Sequence, residues 1–262
     1  MTDYEVFKKQ ILELTGIDLN AYKERQMKRR ITTLSLKYGF QTYEEFYQDL
    51  KKNAERRKQF LNYLTINVSE FYRNPMQWQT LEEKVIPDLI EENKGELRIW
   101  SAACSTGDEP YTIIMMMKEK FPKAPVKLLA TDLDDEVLAF AKQGLYPQKS
   151  LTNLPEKYVQ KYFREVKPGY YQIAESIMKE VEFRQHNLLA DPYGKNYDLI
   201  VCRNVLIYFT EEAKIEVFKE FHKSLRKDGY LFIGSTEQIL QARSIHFEPE
   251  LSLIHISEPT RH

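Results

Sequence analysis

One stretch restricts the fold of this chain more than any other: SAACSTGDEPY, Ser101–Tyr111. The apolar run Leu97, Ile99, Trp100 ends there in small residues, and Asp108-Glu109-Pro110 then opens the helical run Tyr111–Lys120. A strand that stops in small residues at a helix start is how α/β sheets hold a nucleotide-like ligand. Here the loop runs into two carboxylates, which repel a pyrophosphate and suit a cation. That points away from NAD or ATP and towards an adenosyl ligand carrying positive charge.

The chain has 262 residues, enough for two domains or one large one with a sizeable core. With 42% hydrophobic and 29% charged residues it reads as globular rather than disordered. A formal net charge of -1 gives no global attraction to nucleic acid. The N-terminus, MTDYEVFKKQ, lacks the apolar core of a signal peptide, and the longest apolar stretch, Leu199–Phe209, is interrupted by Arg203-Asn204 and too short to span a bilayer. Cys104 and Cys202 stand far apart, with no CxxC and no His cluster, so neither a disulfide framework nor a metal site is expected. A reducing, cytoplasmic setting follows.

Residues 1–90 carry helical periodicity in Tyr4–Thr15, Ala21–Lys37, Thr42–Lys51, Ala54–Leu64 and Met76–Ile90, with a capping box at Thr42 and Glu45. From Glu96 strands alternate with helices. Strands are expected at Leu97–Ser101, Lys127–Thr131, Tyr197–Cys202 and Tyr230–Gly234, helices at Pro110–Lys120, Glu136–Gln143 and Glu211–Leu225. This alternation implies a mostly parallel sheet with right-handed crossovers. Tyr146–Phe183 breaks the rhythm. A helix at Pro155–Phe163 and the short pieces Gly169–Ile173 and Val181–Phe183 suit a small antiparallel excursion. The last residues, Leu251–His262, resemble the translation of a transposon-type sequencing adapter rather than a natural tail. The final strand is then lost, or imitated by Leu251–Ile256.

Four segments hold polar groups where such a sheet binds ligand. Glu109 lies in the opening loop. Asp132 ends the second strand, where a carboxylate can accept from both ribose hydroxyls, while Asp134 caps the next helix. Asn187, in His186-Asn187-Leu188-Leu189, can read an adenine edge or simply form a turn; His186 reads as a loop or core histidine. Cys202-Arg203-Asn204-Val205-Leu206-Ile207-Tyr208 puts polar groups at the end of a buried strand, and Arg203 there needs a partner. Upstream, Asn67, Ser69 and Arg73 interrupt an apolar segment.

Together these segments resemble the CheR family, S-adenosylmethionine-dependent methyltransferases that modify glutamates of bacterial chemotaxis receptors. The resemblance runs in order over residues 1–250; Asp108 stands where the family usually has a second Glu, and keeps its charge. It implies an α/β Rossmann-like class I methyltransferase sheet, an all-α N-terminal domain (1–75) facing the receptor, and a methyltransferase domain (76–250) with a small antiparallel β-subdomain inserted at 146–183. Residues 251–262 form the foreign tail. It assigns Asn67, Ser69, Arg73, Glu109, Asp132, Asn187, Leu188, Asn204 and Val205 to S-adenosyl-L-methionine; Arg73 and Tyr208 are our own candidates for positioning the acceptor or shaping the methyl pocket. A glutamate side chain, with an ordinary pKa of about 4.3, is already an ionised nucleophile and requires no general base.

Ala21–Lys37 carries six basic residues against one acid. A solvated face is the common explanation of such a run. The resemblance favours Arg25, Lys28 and Arg29 meeting the acidic cytoplasmic helical bundle of a receptor. The expected protein is a cytoplasmic monomer without nucleic-acid partner or membrane insertion. The rival readings are a class I methyltransferase with another acceptor, disfavoured by the lack of prolines around Asn204, and a non-catalytic donor-binding docking module.

Overall fold

The computed structural model describes residues 3–93, 95–234, 237, 239, 245, 247–251 and 254–257. They divide into two compact units, Met1–Ile66 with Val205–Val217, and Asn67–Asn204 with Phe218–His262.

The first unit is helical: α1 (Asp3–Thr15), α2 (Glu24–Lys37), α3 (Tyr43–Lys52) and α4 (Ala54–Leu64). Its core is aromatic. Phe7, Phe46 and Phe60 are fully buried, with ring centroids 6.0 Å (Phe7–Phe46) and 5.6 Å (Phe46–Phe60) apart. The capping box forms as its spacing predicts: Thr42 accepts from Glu45 N, and Glu45 returns the bond to the cap backbone. The helix expected at Ala21–Lys37 starts later. Leu19–Ala21 is a 3-10 turn, and Tyr22 is extended in an isolated antiparallel bridge to Phe209, so α2 begins at Glu24. Along α2, Met27, Ile31 and Leu34 are buried while Arg25, Lys28 and Arg29 are exposed.

The second unit starts with α5 (Pro75–Thr80), a π-helical turn at Leu81–Val85 and α6 (Ile86–Glu92). It continues with β1 (Leu97–Ala102), α7 (Asp108–Lys120), β2 (Val126–Asp132), α8 (Asp135–Gln143), β3 (Leu145–Pro147), α9 (Glu156–Tyr162), β4 (Phe163–Lys167), β5 (Tyr170–Ile173) and α10 (Glu175–Met178). It ends with β6 (Val181–Gln185), β7 (Tyr197–Cys202), α11 (Glu211–Ser224, whose first half counts with the helical unit), β8 (Leu225–Ile233), β9 (Phe247–Leu251) and β10 (Ile254–Ser257). The seven-stranded sheet has the order β6-β2-β1-β7-β8-β10-β9. The pairs β6/β2, β2/β1, β1/β7 and β7/β8 are parallel, and β10 is antiparallel to both neighbours. Register is continuous between β1 and β2, from Leu97↔Val126 to Ala102↔Thr131. The strand order reverses at β1, with β2 on one side and β7 on the other. That is where an α/β sheet opens its ligand crevice.

The antiparallel excursion exists as a separate sheet, β3-β5-β4. Val181–Phe183 is not part of it. These residues belong to β6, which pairs in parallel with β2 through Leu128↔Val181 to Asp132↔Gln185. The helices α9 and α10 supply enough chain for a crossover back to the main sheet, and the pattern of so short a strand cannot reveal which sheet receives it. The tail segment Ile254–Ser257 supplies the strand between β8 and β9.

Candidate active site

The loop after β1 is held in an unusual backbone path. Ala103 (φ 58), Ser105 (φ 50) and Gly107 (φ 85) all take left-handed angles. A Cβ on Gly107 would sit 2.8 Å from Ala141 Cβ, 3.2 Å from the Tyr146 hydroxyl and 3.3 Å from Phe183 Cζ, so space as well as angle requires glycine. Cys104 N donates to Thr131 O (2.9 Å), and Ser105 N donates to Asp132 Oδ2 (2.8 Å). Asp134 N donates to the other Asp132 oxygen (3.0 Å), and Asp134 caps α8 by accepting from Glu136 N. Asp132, which also accepts from the Leu133 backbone, thus clamps two loops together.

Burial lifts the carboxyls of Asp108, Glu109 and Asp132 above the ordinary carboxylate range. Asp108 accepts from the hydroxyls of Thr106 and Ser69; its Oδ1 and the hydroxyl of Ser105 are buried without a partner among the described residues. Glu109 accepts from Ser101 Oγ at 2.9 Å and lies 3.4 Å from Arg203 Nη1, the two groups that pull its carboxyl back down.

The segment Asn67–Pro75 is pinned to these acids. Asn67 Nδ2 donates to Asp134 Oδ2 at 2.7 Å, and Tyr72 N reaches Thr112 Oγ1 at 3.4 Å. Arg73 folds back, with Nη1 3.2 Å from Val68 O, while its own carbonyl accepts from Trp78 Nε1 and Arg203 Nη2. After β6, Asn187 makes an Asx turn: its Oδ1 accepts from Leu189 N, and its own N–H donates to Asp191. Leu188 O accepts from Tyr193. After β7, Asn204 is left-handed (φ 62) and its N–H donates to Glu237 Oε2 at 2.8 Å. Gly234 N donates to the same oxygen at 2.8 Å, tying the ends of β7 and β8 together.

Asn67, Ser69, Arg73, Glu109, Asp132, Asn187, Leu188 and Asn204 therefore all belong to the sheet unit. Arg203 links Glu109 to the Arg73 carbonyl, and Asp134 links Asn67 to Asp132. Among the described residues, Asn187 and Leu188 bond only within their own loop after β6. Val205, Tyr208, Arg25, Lys28 and Arg29 belong to the helical unit, where Tyr208 O accepts from Lys23 N. Glu237 is absent from the sequence reading; a single acid beyond Gly234, with no periodicity around it, gives no signal. Arg203 has the partner that its burial demanded.

Acid–base and nucleophilic machinery is not assembled among the described residues. His186 packs edge-on against Trp100 and Tyr193, and burial lowers its pKa. Both thiols are buried and pushed well up. No group of three metal-ligating side chains occurs among the described residues.

A family profile described as "CheR methyltransferase, SAM binding domain" matches residues 67–251, and "CheR methyltransferase, all-alpha domain" matches residues 2–65. The chain belongs to the CheR methyltransferase family. It is 46% identical over 238 residues to a chemotaxis protein methyltransferase of Listeria monocytogenes, covering 91% of this chain and 90% of that protein. A protein of the same name from Borreliella burgdorferi is 34% identical over 244 residues, covering 88% and 86%. The residues of this CheR chain fit the methyl donor that the matched domain binds. S-Adenosylmethionine is a sulfonium with an ammonium group, and the site offers buried carboxylates together with Asp108 Oδ1 and the Ser105 hydroxyl, buried without a partner among the described residues.

Proposed function

We propose that this protein transfers a methyl group from S-adenosylmethionine to glutamate side chains of bacterial chemotaxis receptors, forming methyl esters. The observation that carries the reading is Glu109. Folds that hold phosphates present N–H groups at this helix start, whereas here a buried carboxylate stands in the first turn of α7. Arg203, 3.4 Å away, offsets only part of the cost of burying it, and the donor's cation would offset more.

The donor supplies an electrophilic methyl group. On the protein's side, Glu109 binds the amino group, Asp132 accepts from the ribose, and Asn187 with Leu188 holds the adenine. Asn67 and Ser69 keep the strap Asn67–Pro75 against Asp134 and Asp108, and Arg73 draws in the acceptor carboxylate by charge. Asn204 shapes the donor pocket from the end of β7. The family likeness assigns Val205 to the donor, and Tyr208 is our candidate for positioning the acceptor or shaping the methyl pocket. A carboxylate needs no base, which accords with the neutral His186 and the buried thiols. Alignment and exclusion of water then supply the rate.

The receptor is the partner that the relatives' names favour, and Arg25, Lys28 and Arg29 give an exposed basic face for its acidic helices. No helix among the described residues is long and apolar enough to cross a membrane. The reading is of a cytoplasmic monomer that meets the receptor's cytoplasmic bundle.

Labelled S-adenosylmethionine incubated with the protein and receptor-containing membranes tests this reading. Base-labile methyl ester on the receptor supports it; label in RNA, or in nothing, sinks it. An Arg73→Ala protein is expected to lose at least about tenfold in transfer rate, the scale of one charge-assisted contact. A wild-type rate removes Arg73 from the acceptor role.

A further inference from the structure

One buried guanidinium touches both halves of the proposed chemistry. Arg203 Nη1 lies 3.4 Å from Glu109 Oε2, the donor-side acid. Its Nη2 donates to Arg73 O at 2.8 Å and to Gln77 Oε1, so it also holds the turn that carries the acceptor-side arginine. The guanidinium lies over Trp78 (5.2 Å) and Phe232 (5.4 Å), which leaves it little freedom to swing. Its side chain is only 3% exposed, and its Nε has no partner among the described residues. A core arginine kept for stability alone is a poor device, because apolar residues of similar volume often serve as well.

We infer that Arg203 is a positioning residue for methyl transfer, setting the Glu109 carboxylate for the donor and the Arg73 turn for the acceptor through one rigid fork. The inference rests on the donor and acceptor roles proposed above for Glu109 and Arg73. Arginine suits the task where lysine does not, since a planar fork can serve separate acceptors at fixed angles and a point charge cannot. The charged and titratable groups around the pair are Glu237, Arg73, Asp108, Asp132 and the thiols of Cys104 and Cys202. Among them, Arg203 is the group that pulls Glu109 back towards ionisation most strongly.

Three variants separate the two arms of the fork. Arg203→Met removes both, Arg203→Lys keeps the charge without the fork, and Gln77→Leu removes only the bond by which α5 holds the Arg73-side nitrogen of the fork. The readouts are calorimetric affinity for S-adenosylmethionine from pH 5.5 to 9, and kcat and KM for receptor methylation. Thermal melts confirm folding.

In the natural chain, donor affinity rises with pH as Glu109 ionises and then levels. Arg203→Met is expected to move that rise upwards by about one pH unit, or about tenfold in affinity at a pH on the slope, and to lower kcat. Arg203→Lys is expected to restore the pH profile but not kcat. Gln77→Leu is expected to lower kcat with the donor profile unmoved. A folded Arg203→Met protein with the natural profile and kcat overturns the inference. Should that variant not fold, Arg203→Lys with natural kcat and KM overturns it equally. A natural chain that binds no donor overturns the site itself, a result distinct from one in which donor binds and the variants change nothing.

Discussion

At the scale of single residues, the site makes ionising its carboxyls costly. Asp108, Glu109 and Asp132 all have folded-state pKa values raised by burial. Between the ordinary carboxylate pKa and the raised one, the folded chain holds protons that the unfolded chain has lost. The contribution of these three groups to stability therefore falls as pH rises through that window. A cationic donor favours ionised Glu109, so the rise in Tm caused by saturating S-adenosylmethionine should grow across the same window and level above it. Melts from pH 5 to 8 with and without donor check this, and an increment equal at every pH contradicts it. Gly107 makes a second residue-scale prediction. Gly107→Ala forces a left-handed alanine into a Cβ position 2.8 Å from Ala141 Cβ, and should cost about 2 kcal/mol or more of unfolding free energy together with most donor affinity. A denaturant titration and a binding isotherm measure the two losses. Glu109 and Asp132 were legible in the sequence because Asp132 ends an apolar strand and Glu109 opens the helix after the small-residue loop that follows one. Glu237 was not, because its two backbone donors, Asn204 N and Gly234 N, converge only through the pairing of β7 with β8.

At the scale of elements, sequence reading succeeds where the determinants are local. The capping box of α3 needs only Thr42 and Glu45, and Thr42→Ala should lower stability by about 1 kcal/mol in a denaturant titration. It fails where a distant partner decides. Tyr22 leaves the helical pattern because Phe209 pairs with it, and the chain crosses at Lys23 N to Tyr208 O as well. Likewise β6 joins β2 although its residues look like part of the small antiparallel sheet. The exposed side of α2 offers a third test. Arg25, Lys28 and Arg29 project from a helix whose opposite side buries Met27, Ile31 and Leu34. Charges of this kind act on encounter, so the triple alanine variant should methylate receptors more slowly, by about tenfold at low salt. The gap should close as salt shortens the screening length. Initial rates against ionic strength decide it; a deficit that persists unchanged at high salt assigns these residues some other part.

At the scale of the whole molecule, the weight falls on the end of the chain. The parallel strands β6, β2, β1, β7 and β8 are continuous in hydrogen bonding, yet β8 would present an unpaired edge without β10. That edge carries Leu231, Phe232 and Ile233, all fully buried, and an apolar edge invites pairing with another chain. Ile254–Ser257 covers it, through Ile254↔Phe232, His255↔Leu231 and Ile256↔Tyr230, and links β9 to the sheet on its other side. Leu251–His262 looks foreign as sequence, but alternation of Ile254 and Ile256 around His255 is all that a strand flanked on both sides must offer the backbone. Ladder bonds are indifferent to ancestry. A chain ending at Glu250 should therefore melt lower than the full chain, by about 2–4 °C for each kcal/mol lost, and aggregate sooner on heating. His255→Pro in the full chain should act in the same direction, because proline removes an N–H from a strand with a neighbour on each side. Equal melting temperatures for all three proteins would mean that β8 is covered by something other than this segment. A lowered melt that saturating donor largely restores would show the strand supporting Gly234 and Glu237, which accepts from Asn204 N.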